Sequence, residues 1–281
     1  VWGLFLLAES IGYAACRVAS LGLERGMMWD IARAKEGERI AVRGLFGALM
    51  IGGGLGLIVS GAGQLALPWL IETYFEQPEA LGAARIILWT TPISVLVSVL
   101  VFSAQGLQSA LPRIAVNQVT IPLVTRGLPL GLLWAGATIA PAHELIAYGH
   151  LTGNLLALGV AALLFKRRLR ASRATLDTST LWPSSAVIRY SVPSGLAELL
   201  STLMVRVDVW MLAALMDAAA VGLYGVILSL SKALRTLRIA VTPLVTPIMS
   251  EATFEGQRRR VSAAFAQSTY LVTWIATPVM L

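Results

Sequence analysis

The residues of this sequence best placed to do chemistry are ionised side chains set inside long apolar runs. Glu9, Arg17, Glu24 and Arg25 lie in the first run, Glu198, Arg206 and Asp208 in a later one, and Lys232, Arg235 and Arg238 in the next; Arg126 stands alone in another. A charge at hydrocarbon depth costs a few kcal/mol or more, so it faces protein or water and often marks function. Lys232, Arg235 and Arg238 recur every third residue and drift by about 60° in total around a helix, which makes them one stripe. By helical rise Lys232 sits about 16 Å, and Arg238 about 25 Å, from Val221 near the start of the run. Such cations need anions. Glu198 and Asp208 could supply them within the protein. A phosphate-bearing ligand is the other source, because guanidinium groups grip phosphate through paired donors. Snorkelling to the interface is a third resolution. The ligand reading makes Arg17, Arg206, Lys232, Arg235 and Arg238 a cationic binding set, with Glu198 and Asp208 as coupling or ion-pair acids. Arg206 and Asp208 are two residues apart, so they point about 200° apart on a helix and do not pair with each other. Arg25, near the inner end of its run, is placed to snorkel. Arg126 has no partner in view and no role is assigned to it.

Other chemistry has little support. Cys16 is the single cysteine and can form no internal disulfide. His143 and His150 match no metal-ligand spacing and read as interfacial residues. No metal and no cofactor is expected. A membrane glycosyltransferase, polymerase or ligase would need catalytic acids or histidines in a sizeable extramembrane segment. Here the outer connections are short, and the longest inner one carries Asp177 as its acid.

The elements that must hold these charges are membrane helices. Hydrophobic residues make up 57% of the chain and charged ones 13%, against about a quarter charged in soluble domains. A span takes about 20 apolar residues, and about eight candidates follow, at roughly 2–32, 44–70, 82–108, 114–139, 142–165, 187–215, 219–249 and 264–281. The last is incomplete. Alternate connections carry Arg33, Lys35, Arg39 and Arg43, then Arg113, then Lys166, Arg167, Arg168, Arg170, Arg173 and Arg189, then Arg258, Arg259 and Arg260. The opposite set carries Arg85 with Glu72, Glu76, Glu79, Glu144 and Asp217. Basic connections face the cytoplasm, so the first span runs from outside to inside. The net charge of +7 then marks topology and implies no nucleic-acid partner. The expected organisation is an N-terminal transmembrane lobe over 1–168, a cytoplasmic linker over 169–186 with a Trp182-Pro183 break, and the start of a C-terminal lobe over 187–281. Both chain ends look cut, the first lobe lacking its first helix.

An internal repeat supports two lobes. Placing Gly3-Leu4-Phe5 on Gly222-Leu223-Tyr224 aligns, without a gap, Ser10 with Ser229, Ala14 with Ala233, Glu36-Gly37-Glu38-Arg39 with Glu255-Gly256-Gln257-Arg258, and Phe46 with Phe265. Six spans separate the partners, so both helices point the same way: a parallel repeat about an axis along the membrane normal. Helix breakers recur at Ser191-Val192-Pro193-Ser194-Gly195, at Pro243 and Pro247, and at Gly52-Gly53-Gly54 and Gly56. They allow close packing, or hinges of the kind transporters use.

Two stretches resemble a known family. Trp2-Gly3-Leu4-Phe5, followed by a long span and Ser20-Leu21-Gly22-Leu23, resembles the second helix of polysaccharide-type flippases. Arg206-Val207-Asp208 through Ala219-Ala220-Val221-Gly222-Leu223-Tyr224 is similar to their seventh-to-eighth helix region, where an acid late in one helix precedes a short turn and a Val-Gly-[Leu/Ile]-Tyr start. These are the Wzx-like members of the multidrug/oligosaccharidyl-lipid/polysaccharide (MOP) exporter superfamily. The resemblance implies an all-α, two-lobed transporter in the plasma (inner) membrane, not an enzyme. It implies transfer of a polyprenyl-pyrophosphate-linked oligosaccharide to the outer leaflet by alternating access, for surface polysaccharide or lipopolysaccharide synthesis. Membrane lipids, a polysaccharide polymerase and glycosyltransferases are the implied partners. The first two helices of each lobe would line a cationic cavity, and here these carry Arg17, Arg206, Asp208, Lys232, Arg235 and Arg238. A drug or cation exporter of the same superfamily is the alternative; a cation-rich cavity favours an anionic head group over it.

Overall fold

The structure is a computed structural model that describes residues 1–33, 41–107, 109–134, 141–172, 175–176 and 181–231, with residues 266, 270 and 273. Among these the chain is helical. Apolar runs leave a backbone no water to bond, and a helix satisfies every amide within the run. The helices are α1 (Trp2–Ser20), α2 (Leu23–Ala32), α3 (Leu45–Pro68), α4 (Leu81–Trp89), α5 (Thr91–Gly106), α6 (Leu111–Arg113), α7 (Ile121–Trp134), α8 (Ala142–Ala171) and α9 (Ser185–Leu215). A shorter apolar helix, α10, covers Ala218–Ser231. Wider π turns extend α3 through Trp69–Tyr74 and join α6 to α7 through Ile114–Thr120. The extended pairing is a parallel bridge of two residues on each side, Ala41–Val42 with Thr175–Leu176.

Leu45–Tyr74 and Ala142–Ala171 are each long and apolar enough to cross a membrane. Two bent pairs raise the number to four if each is one span: α1 with α2, bent by 52°, and Pro78–Trp89 with α5, bent by 42°. α9 has the length, at 31 residues, but Arg189, Glu198, Arg206 and Asp208 interrupt its apolar character. The two final runs expected from the sequence lie outside the described residues beyond Ser231, apart from the three residues named above.

Contacts divide the chain into a unit Val1–Gly222 and a unit Leu223–Leu281. In the first, α1 is the central element. Leu4, Phe5, Leu6, Leu7 and Ala8 are buried in succession, the pattern of a helix enclosed on all sides. It packs against α3, α4, α5, α8 and α9. Small residues let these helices approach closely. A Cβ placed on Gly56 of α3 would fall 2.6 Å from Pro92 Cα at the start of α5. One turn on, Ser60 Oγ donates to the Leu88 carbonyl at 2.7 Å. Arg168, one of the basic residues that set topology, turns back to cap α5: its Nε and Nη2 donate to the Leu107 carbonyl at 3.0 and 2.8 Å.

The break between α1 and α2 positions the site. Leu21 and Gly22 take φ of 45° and 74°, the left-handed region that ends a helix. Leu is strained there by roughly 1–2 kcal/mol, whereas Gly is not. Gly195 of α9 fits against this break: a Cβ on Gly22 would meet the Gly195 backbone nitrogen at 2.6 Å.

Candidate functional site: an ionic seam between α1, α2 and α9

α9 runs antiparallel to the α1–α2 pair. From the N-terminal end of α1, called outer for the orientation expected from the basic connections, Gly3 lies against Ala218 and Gly222, Ser10 against Trp210, Glu9 against Arg206, Arg17 against Glu198, and Gly22 against Gly195. The charges sit in two rungs. Glu9 to Arg17 is eight residues on α1, and Glu198 to Arg206 is eight on α9, so the rungs are about 12 Å apart by helical rise.

In the outer rung, Arg206 Nη1 is 3.9 Å from Glu9 Oε2, an ion pair too long for a direct hydrogen bond. The guanidinium carbon lies 4.6 Å from the centroid of the Tyr13 ring, a cation–π contact. Tyr13 is one turn along α1 from Glu9, which is why one arginine reaches both. Beside them, the Trp210 indole N–H donates to Ser10 Oγ at 2.8 Å, and Ser10 Oγ donates to the Leu7 carbonyl at 2.7 Å.

The inner rung is a cluster. Arg17 Nη1 is 3.2 Å from Glu24 Oε1, and its Nη2 is 3.4 Å from Glu198 Oε1. Arg25 Nη2 pairs with the other oxygen of Glu198, Oε2. Ser20 Oγ also donates to Glu24 Oε1, at 3.4 Å. Glu24 is 1% exposed, against 25% for the side chains of Arg17 and Glu198 and 38% for Arg25. On a straight helix Arg17 and Arg25 would stand about 12 Å apart along the axis and about 80° apart around it. The left-handed break at Leu21–Gly22 folds α2 so that both meet Glu198.

Three arginines and three glutamates thus neutralise one another across the seam. Two atoms of these six side chains are buried without a hydrogen bond, Arg206 Nη1 and Glu24 Oε2. Of the residues chosen from sequence, Arg17 and Glu198 meet in the inner rung, and Arg206 lies in the outer rung with Glu9. Asp208 is not among the pairs of the seam; its carboxylate accepts from the Val209 N–H at 2.9 Å. Lys232, Arg235 and Arg238 lie outside the described residues. Arg25, expected to snorkel, turns instead to Glu198. Glu9, Tyr13, Glu24 and Arg25 were missed as site members. The signal was the common eight-residue spacing of opposite charges on the two helices.

An apolar crevice of about 430 Å³ adjoins the seam, lined by Ile11, Ala14 and Val18 of α1, Gly63 and Leu67 of α3, and Trp210 of α9. Trp210 is one turn from Arg206, so the crevice and the outer rung share a wall. None of the six charged side chains of the seam lines this crevice. Comparison of the chain with protein-family models, with curated proteins and with solved structures gives no match.

Proposed function

We propose that this chain is part of a two-lobed flippase of the MOP exporter superfamily, similar to the Wzx-like members. In this reading it has about eight spans in the plasma (inner) membrane and moves a polyprenyl-pyrophosphate-linked oligosaccharide to the outer leaflet by alternating access. The observation that carries the reading is the convergence of Arg17 and Arg25 on one carboxylate within the apolar bundle; the apolar crevice lies farther along α1, toward Trp210. Guanidinium pairs suit a pyrophosphate; the crevice suits a hydrocarbon tail. A second observation supports the parallel repeat. Gly3 and Gly222, equivalent under it, pack against each other, with a Cβ on Gly3 reaching the Gly222 nitrogen at 2.8 Å. Positions related by a two-fold axis meet when they lie beside that axis.

The equal number of glutamates in the seam favours one competitor, a drug or cation exporter of the same superfamily, since carboxylates also receive organic cations. Substitution separates the two. In the full-length protein, alanine at Lys232, Arg235 and Arg238 together is expected to abolish surface polysaccharide while protein level is unchanged. Wild-type polymer output from that variant would sink the assignment of these three cations to the site; lost drug resistance with intact polymer would sink the flippase reading and favour the exporter.

A further inference from the structure

Glu198 does something unusual for a carboxylate in a bundle of this kind. Each of its oxygens is engaged by a different arginine, and those arginines stand on opposite sides of the α1–α2 break. Two guanidinium groups presented to one small anion form the arrangement that binds phosphate or pyrophosphate. Here a side chain of the protein fills it. We propose that Glu198 is a built-in counter-ion that occupies an anion site formed by Arg17 and Arg25, and that a pyrophosphate-bearing ligand binds by displacing it. The inference rests on the anionic-substrate reading above and specifies how its site is regulated.

The burial pattern separates the two carboxylates of the cluster. Glu24 is enclosed, is joined to Arg17 through a neighbouring turn of the same bent pair, and also accepts from Ser20. It stays with Arg17 whether or not α9 is in place. Glu198 is a quarter exposed, comes from a different helix, and holds arginines that are themselves partly exposed. Partly exposed ion pairs are weak, so a doubly charged competitor can replace this one. Glu198 is therefore the exchangeable partner and Glu24 the fixed one.

Displacement has a mechanical result. The Glu198 carboxylate ties α9 to both arms of the bent pair. An anion that takes its place binds Arg17 and Arg25 but leaves α9 without that tie. It therefore favours the state in which the seam is released, by the difference in its affinity for the two states. Pro193 stands inside α9, close before Gly195 and Glu198 in the sequence. It lacks the amide that would complete the helix there, so the released segment is one that bends at low cost.

The test uses the full-length protein in phosphatidylcholine nanodiscs. Inorganic pyrophosphate is titrated against wild type, Glu198→Gln, and Arg17→Ala combined with Arg25→Ala, with amide hydrogen exchange followed over 190–200. Glu198→Gln is expected to bind pyrophosphate about tenfold more tightly than wild type, and the double arginine variant to lose binding. Pyrophosphate is expected to speed exchange over 190–200 in wild type and to change it little in Glu198→Gln. Equal affinity in wild type and Glu198→Gln overturns the proposal, as does binding that survives loss of both arginines. Should Glu198→Gln fail to fold, exchange in wild type decides alone: unchanged or slowed exchange on adding pyrophosphate overturns it. A parallel arm with polyprenyl pyrophosphate in the nanodisc separates a lipid head group from the free anion, the lipid binding more tightly if the tail contributes. Anion displacement without any defect of polymer output in the variants would uphold the counter-ion and refute the flippase; the reverse pattern would uphold the flippase and refute the counter-ion.

Discussion

Arg17→Met is the most informative single perturbation of the bundle. Methionine keeps an unbranched stem of similar reach and removes the guanidinium. Two losses follow, of unequal size. The contact with Glu198 is partly exposed on both sides and contributes about 0.2–1 kcal/mol. The contact with Glu24 leaves a carboxylate that is 1% exposed without its cation, and removing one partner of a buried pair costs about 3–5 kcal/mol. The second term dominates, so the expected loss is close to 4 kcal/mol, or about three powers of ten in the folding equilibrium. Glu24→Gln in the same background removes the stranded charge and is expected to restore at least half of the loss. Ser20 remains to bond the new amide. The assay is reversible unfolding in mixed micelles, followed by tryptophan fluorescence and analysed as a double-mutant cycle. An Arg17→Met variant as stable as wild type, or one that Glu24→Gln does not rescue, would refute the assignment of Glu24 as a charge held by Arg17.

Other substitutions probe the remaining contacts. Gly22→Ala places a Cβ at a positive φ and against the backbone of α9; a loss of about 2 kcal/mol or more is expected in the same unfolding assay, and an unchanged midpoint would argue against the close approach. Trp210→Phe removes the indole bond to Ser10 and is expected to cost about 1 kcal/mol with little change in packing, again read from the unfolding midpoint. Gly56→Leu should separate α3 from α5 and lower the yield of folded protein in gel filtration, whereas Gly54→Leu, where a Cβ meets nothing within 4 Å, should not.

The helices were readable in advance because lipid-like interiors demand uninterrupted apolar runs, and α1 to α5 and α7 to α9 fall where those runs fall, while the three-residue α6 lies in a connection. The broken geometry was not. Ser20-Leu21-Gly22-Leu23 sits inside an apolar stretch with no proline, and nothing in its composition forecasts a leucine in the left-handed region. Gly195 of α9 packs closely against the break. The fate of Arg25 followed from it. Read on a straight helix, Arg25 reaches the interface; on a bent one it reaches Glu198. The separation of Arg206 from Asp208 was legible because two residues on a helix are enough to fix opposite directions. The partners of Arg17 could not be chosen from sequence, since pairing across helices depends on register, and register depends on close approaches of small residues such as Gly3, Gly22 and Gly195.

The equal spacing of the two rungs limits how α9 can move. Two teeth cut at one interval on each of two rods lock them at a single setting. If α9 shifts along α1 by one helical turn, about 5.4 Å, Arg206 leaves Glu9 and Arg17 leaves Glu198 in the same instant. Sliding therefore loses both of these pairs at once. Tilting loses one tooth at a time, opening the inner end while Arg206 and Tyr13 hold the outer end as a pivot. Of the two ways that packed helices rearrange, shear and hinge, this seam is cut for the hinge.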